Sequence, residues 1–356
     1  MKRPEILSPA GNFEKMRAAI LYGADAVYLA GHIFGMRAAA DNFSLDELRE
    51  AVKYAHERGV KVYLTVNTMP REAEYALLEK YFSDLEQIPV DALIIADIGV
   101  FMLARKMLPN TDIHISTQAN SVSAADCRAW YELGAKRVVL SRELSLDEIK
   151  AIRANIPAEL EIECFVHGSM CISYSGRCLL SGNMIGRDAN RGMCAQPCRW
   201  NYTVRGYEIA EEKRAGDSMP VEEVNGETFI MSSRDTCTIE HIPELCEAGI
   251  DSFKIEGRMK SAYYTAVVTN TYKWLLTPIF RAITSMIPYG IASLNRSATA
   301  ITQRDIISPI HTPMQTSPLP RDILRIRHIS LWRSHTIRKA EWHFSRREIK
   351  CALAMR

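Results

Sequence analysis

Arg137-Val-Val-Leu140-Ser-Arg142-Glu143-Leu-Ser145-Leu-Asp-Glu148-Ile-Lys150 compresses a strand, a polar turn and the start of a helix into fourteen residues. The run Arg137 to Leu140 is apolar and β-branched, as a short buried strand requires. Ser145 with Glu148 three residues on is a capping box, which opens a helix. Working outward, the same unit recurs. Strands are predicted at Glu5 to Pro9, Ala26 to Ala30, Val60 to Val66, Ala92 to Ala96, Asp112 to Thr117, Arg137 to Leu140, Glu159 to Val166 and Ser252 to Ile255. Helices are signalled from Asn12 to Ile20, and from Ser44 to Val52 with a capping box between Ser44 and Glu47. Eight strand-helix units over about 275 residues predict an α/β chain folded as a (β/α)8, TIM-like barrel. A long Cys-rich insertion follows strand seven, and an irregular C-terminal tail follows the barrel. The alternative is a doubly wound sheet, but no Gly-x-Gly-x-x-Gly follows the first strand.

Polar residues gather where such a barrel builds its active site, at or just past the C-terminal strand ends. They are Asn67, Asp97, Gln118, Arg142, Glu143, Glu163, His167, Lys254, Glu256 and Arg258. Glu163 and His167 are the catalytic candidates. Arg142, Lys254 and Arg258 are candidates to hold a small carboxylate substrate, because guanidinium and ammonium groups pair with carboxylates. Asn67 and Gln118 complete the substrate-binding set.

Four cysteines fall between Cys171 and Cys198, where an even spread of nine in 356 would put about 0.7. They are spaced by seven, sixteen and four residues in a segment rich in Gly and Arg. Thiolates converging from a loop that turns tightly suit a soft metal. Only Cys194 and Cys198 have the spacing of a zinc knuckle, whereas an iron-sulfur cluster is less demanding of spacing. Cys237, 39 residues past Cys198, is a reserve ligand. Cys127, Cys164 and Cys246 stand alone in apolar surroundings and read as buried hydrophobes.

Charge splits the chain. Residues 1–277 carry 31 Lys and Arg against 38 Asp and Glu, and residues 278–356 carry 13 against 4, so the overall +2 conceals −7 and +9. The domain reading is a barrel over 1–277, with 168–245 as its Cys-rich insertion, and a basic tail over 278–356. With one Gly in 79 residues and no clear amphipathic pattern, that tail reads as aberrant sequence rather than as a folded arm for nucleic acid. The opening Met-Lys-Arg-Pro-Glu has no signal-peptide core, and no run reaches about 18 apolar residues, so a soluble, cytoplasmic protein without a membrane partner is expected.

Several motifs are more specific. Glu163-Cys-Phe-Val-His-Gly-Ser-Met-Cys171 and Ser175-Gly-Arg-Cys178-Leu-Leu-Ser181 resemble signatures of the collagenase-like peptidase family U32. So do Ile6-Leu-Ser-Pro-Ala-Gly-Asn12, Gly23-Ala-Asp-Ala-Val-Tyr28, Arg187-Asp-Ala-Asn-Arg-Gly192 and Phe253-Lys-Ile-Glu-Gly-Arg-Met-Lys260. Within that family the chain most resembles the prephenate-dependent tRNA uridine 5-hydroxylases, which act at the anticodon wobble position. The resemblance implies a 4Fe-4S cluster on Cys171, Cys178, Cys194 and Cys198, with prephenate as hydroxyl source and tRNA as partner. Other branches hydroxylate ribosomal RNA or ubiquinone precursors. Family members continue into a small C-terminal β domain, which residues 278–356 do not resemble. A peptidase activity would pair Cys171 as nucleophile with His167 as base, leaving three clustered cysteines without a role. His-Glu-x-x-His and Gly-x-Ser-x-Gly are both absent, which removes the commonest metallo- and serine-hydrolase routes.

Overall fold

The computed structural model describes residues 3–36, 41–199 and 235–281, with short backbone stretches at 209–210, 218–219, 222–224, 227–229 and 302–303. Its centre is a ring of parallel strands: β1 (Glu5–Pro9), β2 (Ala26–Ala30), β3 (Lys61–Val66), β4 (Ala92–Ile95), β5 (Asp112–Ile115), β6 (Arg137–Val139), β7 (Glu161–Gly168) and β8 (Ser252–Ile255). Each pairs with the next, and β8 pairs with both β7 and β1. That last pairing closes the barrel and excludes the open doubly wound sheet.

Helices α1 (Phe13–Leu21), α2 (Leu45–His56), α3 (Tyr75–Leu85), α4 (Ile98–Met107), α5 (Ala124–Leu133) and α6 (Leu146–Ala154) follow β1 to β6 in turn. α7 (Leu180–Ile185) lies in the Cys-rich insertion, α8 (Ile242–Glu247) leads into β8, and α9 (Ala262–Arg281) follows it. Both predicted capping boxes form. Glu47 N donates to Ser44 Oγ at 3.2 Å while Ser44 N donates to Glu47 Oε2 at 2.8 Å, and Ser145 and Glu148 repeat the exchange. Each box satisfies two N–H groups that the first helical turn would otherwise leave without partners.

Period-two alternation sorts the strands into two cores. One set, including Ile6, Val27, Leu64, Ile95, Ile113, Val138, Ile162 and Phe253, packs with the helices. Leu7, Ala26, Tyr28, Tyr63, Ala92 and Ile94 form a separate, inner cluster contributed by β1 to β4. The half of the interior supplied by β5 to β8 is ionic instead, with His114, Arg137, Glu163 and Lys254 all at most 4% exposed. Cys127, Cys164 and Cys246 are buried, as their isolation in apolar sequence predicts.

β7 is longer at its far end than its sequence suggests, running through His167 to Gly168. There it gains a second neighbour, the short antiparallel strand Asp235–Cys237, with Cys237 opposite His167 and Thr236 opposite Gly168. On its other edge the register with β8 slips between Lys254 and Ile255, so that Phe165 faces Lys254 but His167 faces Ile255. Val166 is the extra residue of this bulge. Its carbonyl accepts from Tyr272 Oη at 2.7 Å, Thr238 N at 3.0 Å and Thr238 Oγ1 at 3.1 Å, so the irregularity is held by three donors.

The chain divides after Pro309, and the unit Ile310–Arg356 lies outside the described residues. The tail expected from residue 278 therefore lies almost wholly outside them. α9 runs past that boundary to Arg281, and Thr302–Gln303 pair in parallel with Asp235–Thr236. Among the described residues, no helix is long and apolar enough to cross a membrane.

Candidate functional site

The C-terminal rim of the barrel gathers much of the predicted polar set, but not all of it. Asn67, one residue past β3, accepts from Met36 N at 3.2 Å and donates through Nδ2 to Gln118 Oε1. Gln118 is buried in the turn after β5 and also accepts from Ser116 Oγ at 3.2 Å. These two amides form one connected pair. Asp97 is different: its carboxylate accepts from Val100 N at 3.0 Å and caps α4, so its place at a strand end serves the helix. Glu143 accepts from the Ser141 hydroxyl beside it.

Glu163 and Lys254 sit deeper than the strand-end reading places them. Glu163 is the third residue of the eight in β7, fully buried inside the barrel. Lys254 Nζ donates to it at 2.7 Å and Arg137 Nη1 at 2.9 Å. Arg137 in turn pairs with Glu5 at 2.7 Å and Glu161 at 2.7 Å. Burial alone would raise the Glu163 pKa, but the charges of Lys254 and Arg137 overcome it and hold the carboxyl below its ordinary value. Burial pulls the Lys254 ammonium below its ordinary value in spite of Glu163. Lys254 is thus matched by a carboxylate of its own chain. His114 completes this interior, edge-on to Tyr63 at 4.6 Å and kept neutral by burial and by the nearby Arg137 and Lys254 cations.

His167 is 5% exposed, with the rings of Tyr264 and Tyr272 each 5.9 Å away. Its Nδ1 has no hydrogen-bond partner, and burial lowers its pKa to about 4. Gly168 follows at φ 111°, where a Cβ would lie 2.5 Å from the Glu256 carbonyl oxygen. Only glycine allows β7 to leave the barrel so close to the loop after β8. The same loop carries Arg258, 4% exposed, whose carbonyl oxygen lies 2.1 Å from where a Cβ on Gly11 would stand. That contact explains why the β1 turn reads Pro-Ala-Gly-Asn.

Arg142 leans onto the Cys-rich segment. Nη1 donates to Ser169 O at 2.9 Å, and Nη2 to Ser175 Oγ at 2.7 Å and Cys171 Sγ at 3.7 Å. Its guanidinium lies 4.7 Å from the centroid of Phe165, whose other cationic neighbour is Lys254 Nζ at 5.4 Å. Phe165 was absent from the sequence-derived set, although it shares an inward face with Glu163 two residues earlier, which the strand period exposes. Tyr264 and Tyr272 were also missed, since both lie on a helix.

Cys171, Cys178, Cys194 and Cys198 are all free and partly buried. Burial raises the Cys198 pKa most, Arg199 opposes it, and the thiols of Cys171, Cys194 and Cys178 push it further up, so the other three lie close enough to bear on it. Gln196, at φ 58°, turns its N–H toward Cys194 Sγ at 3.4 Å. Among the described residues no three His, Cys, Asp or Glu side chains have closed to ligating geometry. The donor chemistry nevertheless suits an iron-sulfur cluster: four thiols in one segment, three of them bearing on Cys198, with N–H donors on the sulfurs of Cys171 and Cys194. Cys237 is packed on the core with a hydrogen bond to Tyr272, and burial raises its pKa. The Cys171–His167 dyad of a cysteine peptidase is not assembled, since Arg142 is the partner of Cys171.

The sequence pattern of peptidase family U32 matches residues 11–306. The chain belongs to that family. Among its relatives, tRNA hydroxylation protein P1 of Bacillus subtilis is 42% identical over 272 residues, covering 76% of this chain and 63% of its own length. A 23S rRNA 5-hydroxycytidine synthase of Escherichia coli is 38% identical over 277 residues, 78% of this chain and 40% of its own. A collagenase of Porphyromonas gingivalis is 36% identical over 279 residues, 76% and 64% respectively. This U32 chain therefore spans less than two thirds of the length of each of these three relatives.

Proposed function

We propose that the chain is an RNA hydroxylase that forms 5-hydroxyuridine in tRNA, with a 4Fe-4S cluster on Cys171, Cys178, Cys194 and Cys198 and prephenate as hydroxyl source. The observation that carries this reading is a four-cysteine segment that leaves the barrel rim after β7, with Cys171 tied to Arg142 and Cys194 to the Gln196 N–H. Support comes from relatives named for hydroxylating tRNA and ribosomal RNA. Bound there, the cluster would supply one-electron chemistry.

The remaining steps fall to the chain's own side chains. Arg258, on the loop after β8, anchors a carboxylate of the donor, and the Asn67–Gln118 pair offers amide groups at the rim. His167, neutral throughout the physiological range, is able to accept a proton at Nδ1, which has no partner of its own. Glu163 stays ionised between Lys254 and Arg137 and acts by fixing Lys254 beneath Phe165.

The test is nucleoside mass spectrometry of tRNA from cells that lack the endogenous activity and carry this chain, alone and extended by a relative's C-terminal part. Appearance of 5-hydroxyuridine is expected. Cleavage of a collagen-like peptide without any 5-hydroxyuridine would overturn the reading in favour of the peptidase.

A further inference from the structure

Arg142 is read from sequence as a substrate anchor, yet its donors are directed elsewhere. Nη1 reaches Ser169 O and Nη2 reaches Ser175 Oγ, so the guanidinium spans the loop from residue 169 to 175 and encloses Cys171. The same Nη2 lies 3.7 Å from Cys171 Sγ. One face of the group rests on Phe165, a residue of the barrel wall. The planar, forked shape of guanidinium allows these contacts at once, which an ammonium on a flexible stem does not reproduce.

A cation beside a neutral thiol gains little, whereas beside a thiolate it makes a charge-assisted hydrogen bond. When four thiolates hold a redox cluster, donors on sulfur and nearby positive charge favour the reduced, more negative form and raise its reduction potential. A second donor of this kind is built into the backbone. Gln196 adopts the left-handed conformation, rare outside glycine, and its N–H meets Cys194 Sγ at 3.4 Å. Two separate elements, a side chain from the β6 end and a strained turn in the insertion, therefore aim N–H groups at two of the four sulfurs.

We propose that Arg142 is a redox-tuning and positioning residue. It clamps the loop from Ser169 to Ser175 to the barrel wall and donates to the Cys171 thiolate, setting the potential of the cluster, and it does not bind the carboxylate donor. This rests on the cluster reading above.

The experiment uses the full chain purified without oxygen, with iron counted and the cluster titrated potentiometrically under electron paramagnetic resonance. Arg142→Gln removes charge and donor, Arg142→Lys keeps the charge but loses the fork, and Ser175→Ala frees the guanidinium without changing charge. The potential is expected to shift downward in all three, most in Arg142→Gln, while prephenate affinity stays within twofold of wild type. If Arg142→Gln loses iron, the Lys and Ser175 variants carry the comparison. Iron-loaded variants at the wild-type potential overturn the proposal, and a tenfold loss of prephenate affinity restores Arg142 as an anchor. A wild type that binds no iron removes the cluster reading and this inference together, an outcome distinct from either.

Discussion

Replacing Lys254 with Met asks whether the ionic half of the barrel interior is structural. Lys254 is 4% exposed and Glu163 is fully buried, with Nζ and Oε1 2.7 Å apart. In Lys254→Met the carboxylate keeps only Arg137, which it already shares with Glu5 and Glu161. Removing one partner of such a pair costs about 3 to 5 kcal/mol, because the other charge is left buried without compensation. Loss of the cation over the Tyr28 ring, 4.7 Å away, adds about 1 kcal/mol. Against a total stability of about 5 to 15 kcal/mol, the single variant stands near the edge of folding. Neutralising the other partner as well, in Glu163→Gln/Lys254→Met, should recover most of the loss, since a buried pair can often be replaced by uncharged groups at little cost. Urea unfolding followed through Trp130 and Trp274, both packed against the core, measures each midpoint. A double variant as unstable as the sum of the two singles would refute the reasoning, as would a single variant with the wild-type midpoint.

Other outcomes follow from the same geometry. Cys194→Ser should abolish bound iron while Cys127→Ser, at a buried site on α5, retains it, and equal iron content in the two would remove the cluster assignment. His167 has a folded pKa of about 4 against an ordinary 6.5, so the unfolded chain takes up its proton first as the medium acidifies. Stability should therefore fall between about pH 6.5 and pH 4, by up to about 3 kcal/mol, and His167→Phe should flatten that slope in acid unfolding curves. The depressed Glu163 pKa has the usual carboxylate sign: its stabilisation is present above the unfolded value and lost as pH falls through the folded one. Gly168→Ala, forced to φ 111° with its Cβ against the Glu256 carbonyl, should cost more than about 1 kcal/mol by denaturant titration.

Much of the barrel was readable because strand and helix announce themselves locally. The capping serines at 44 and 145 occur where they were expected, and the strand cores differ from prediction by one or two residues at their ends. The depth of Glu163 was not readable. It depends on β7 continuing through His167 and Gly168, and that extension is stabilised by Asp235–Cys237, some seventy residues away in sequence. The bulge opposite Lys254 is likewise a property of two strands together. Asp97 was legible by its place at a strand end, and the structure shows its work to be local: an acid three residues before Val100 at a helix start caps that helix. Arg142 was recognised by position, while its partner could not be, because the contact with Cys171 spans 29 residues that include the whole of α6 and β7.

β7 also bears on how the Cys-rich segment can change. Chain leaves the barrel at Gly168 and returns at Asp235, and these two stems are neighbours in a single ladder, Thr236 opposite Gly168. Adjacent strands stand about 5 Å apart, so whatever lies between the stems begins and ends at nearly one point on the rim. A segment tethered that way can lengthen, shorten or be exchanged without moving any other strand, since its closure cost grows only slowly with length. The barrel is in this sense a socket, and a chimaera that joins the segment from Ser169 to Arg234 of one member to the barrel of another needs to match this pair of stems together with the barrel residues that hold the segment, Glu74, Asn120 and Arg142.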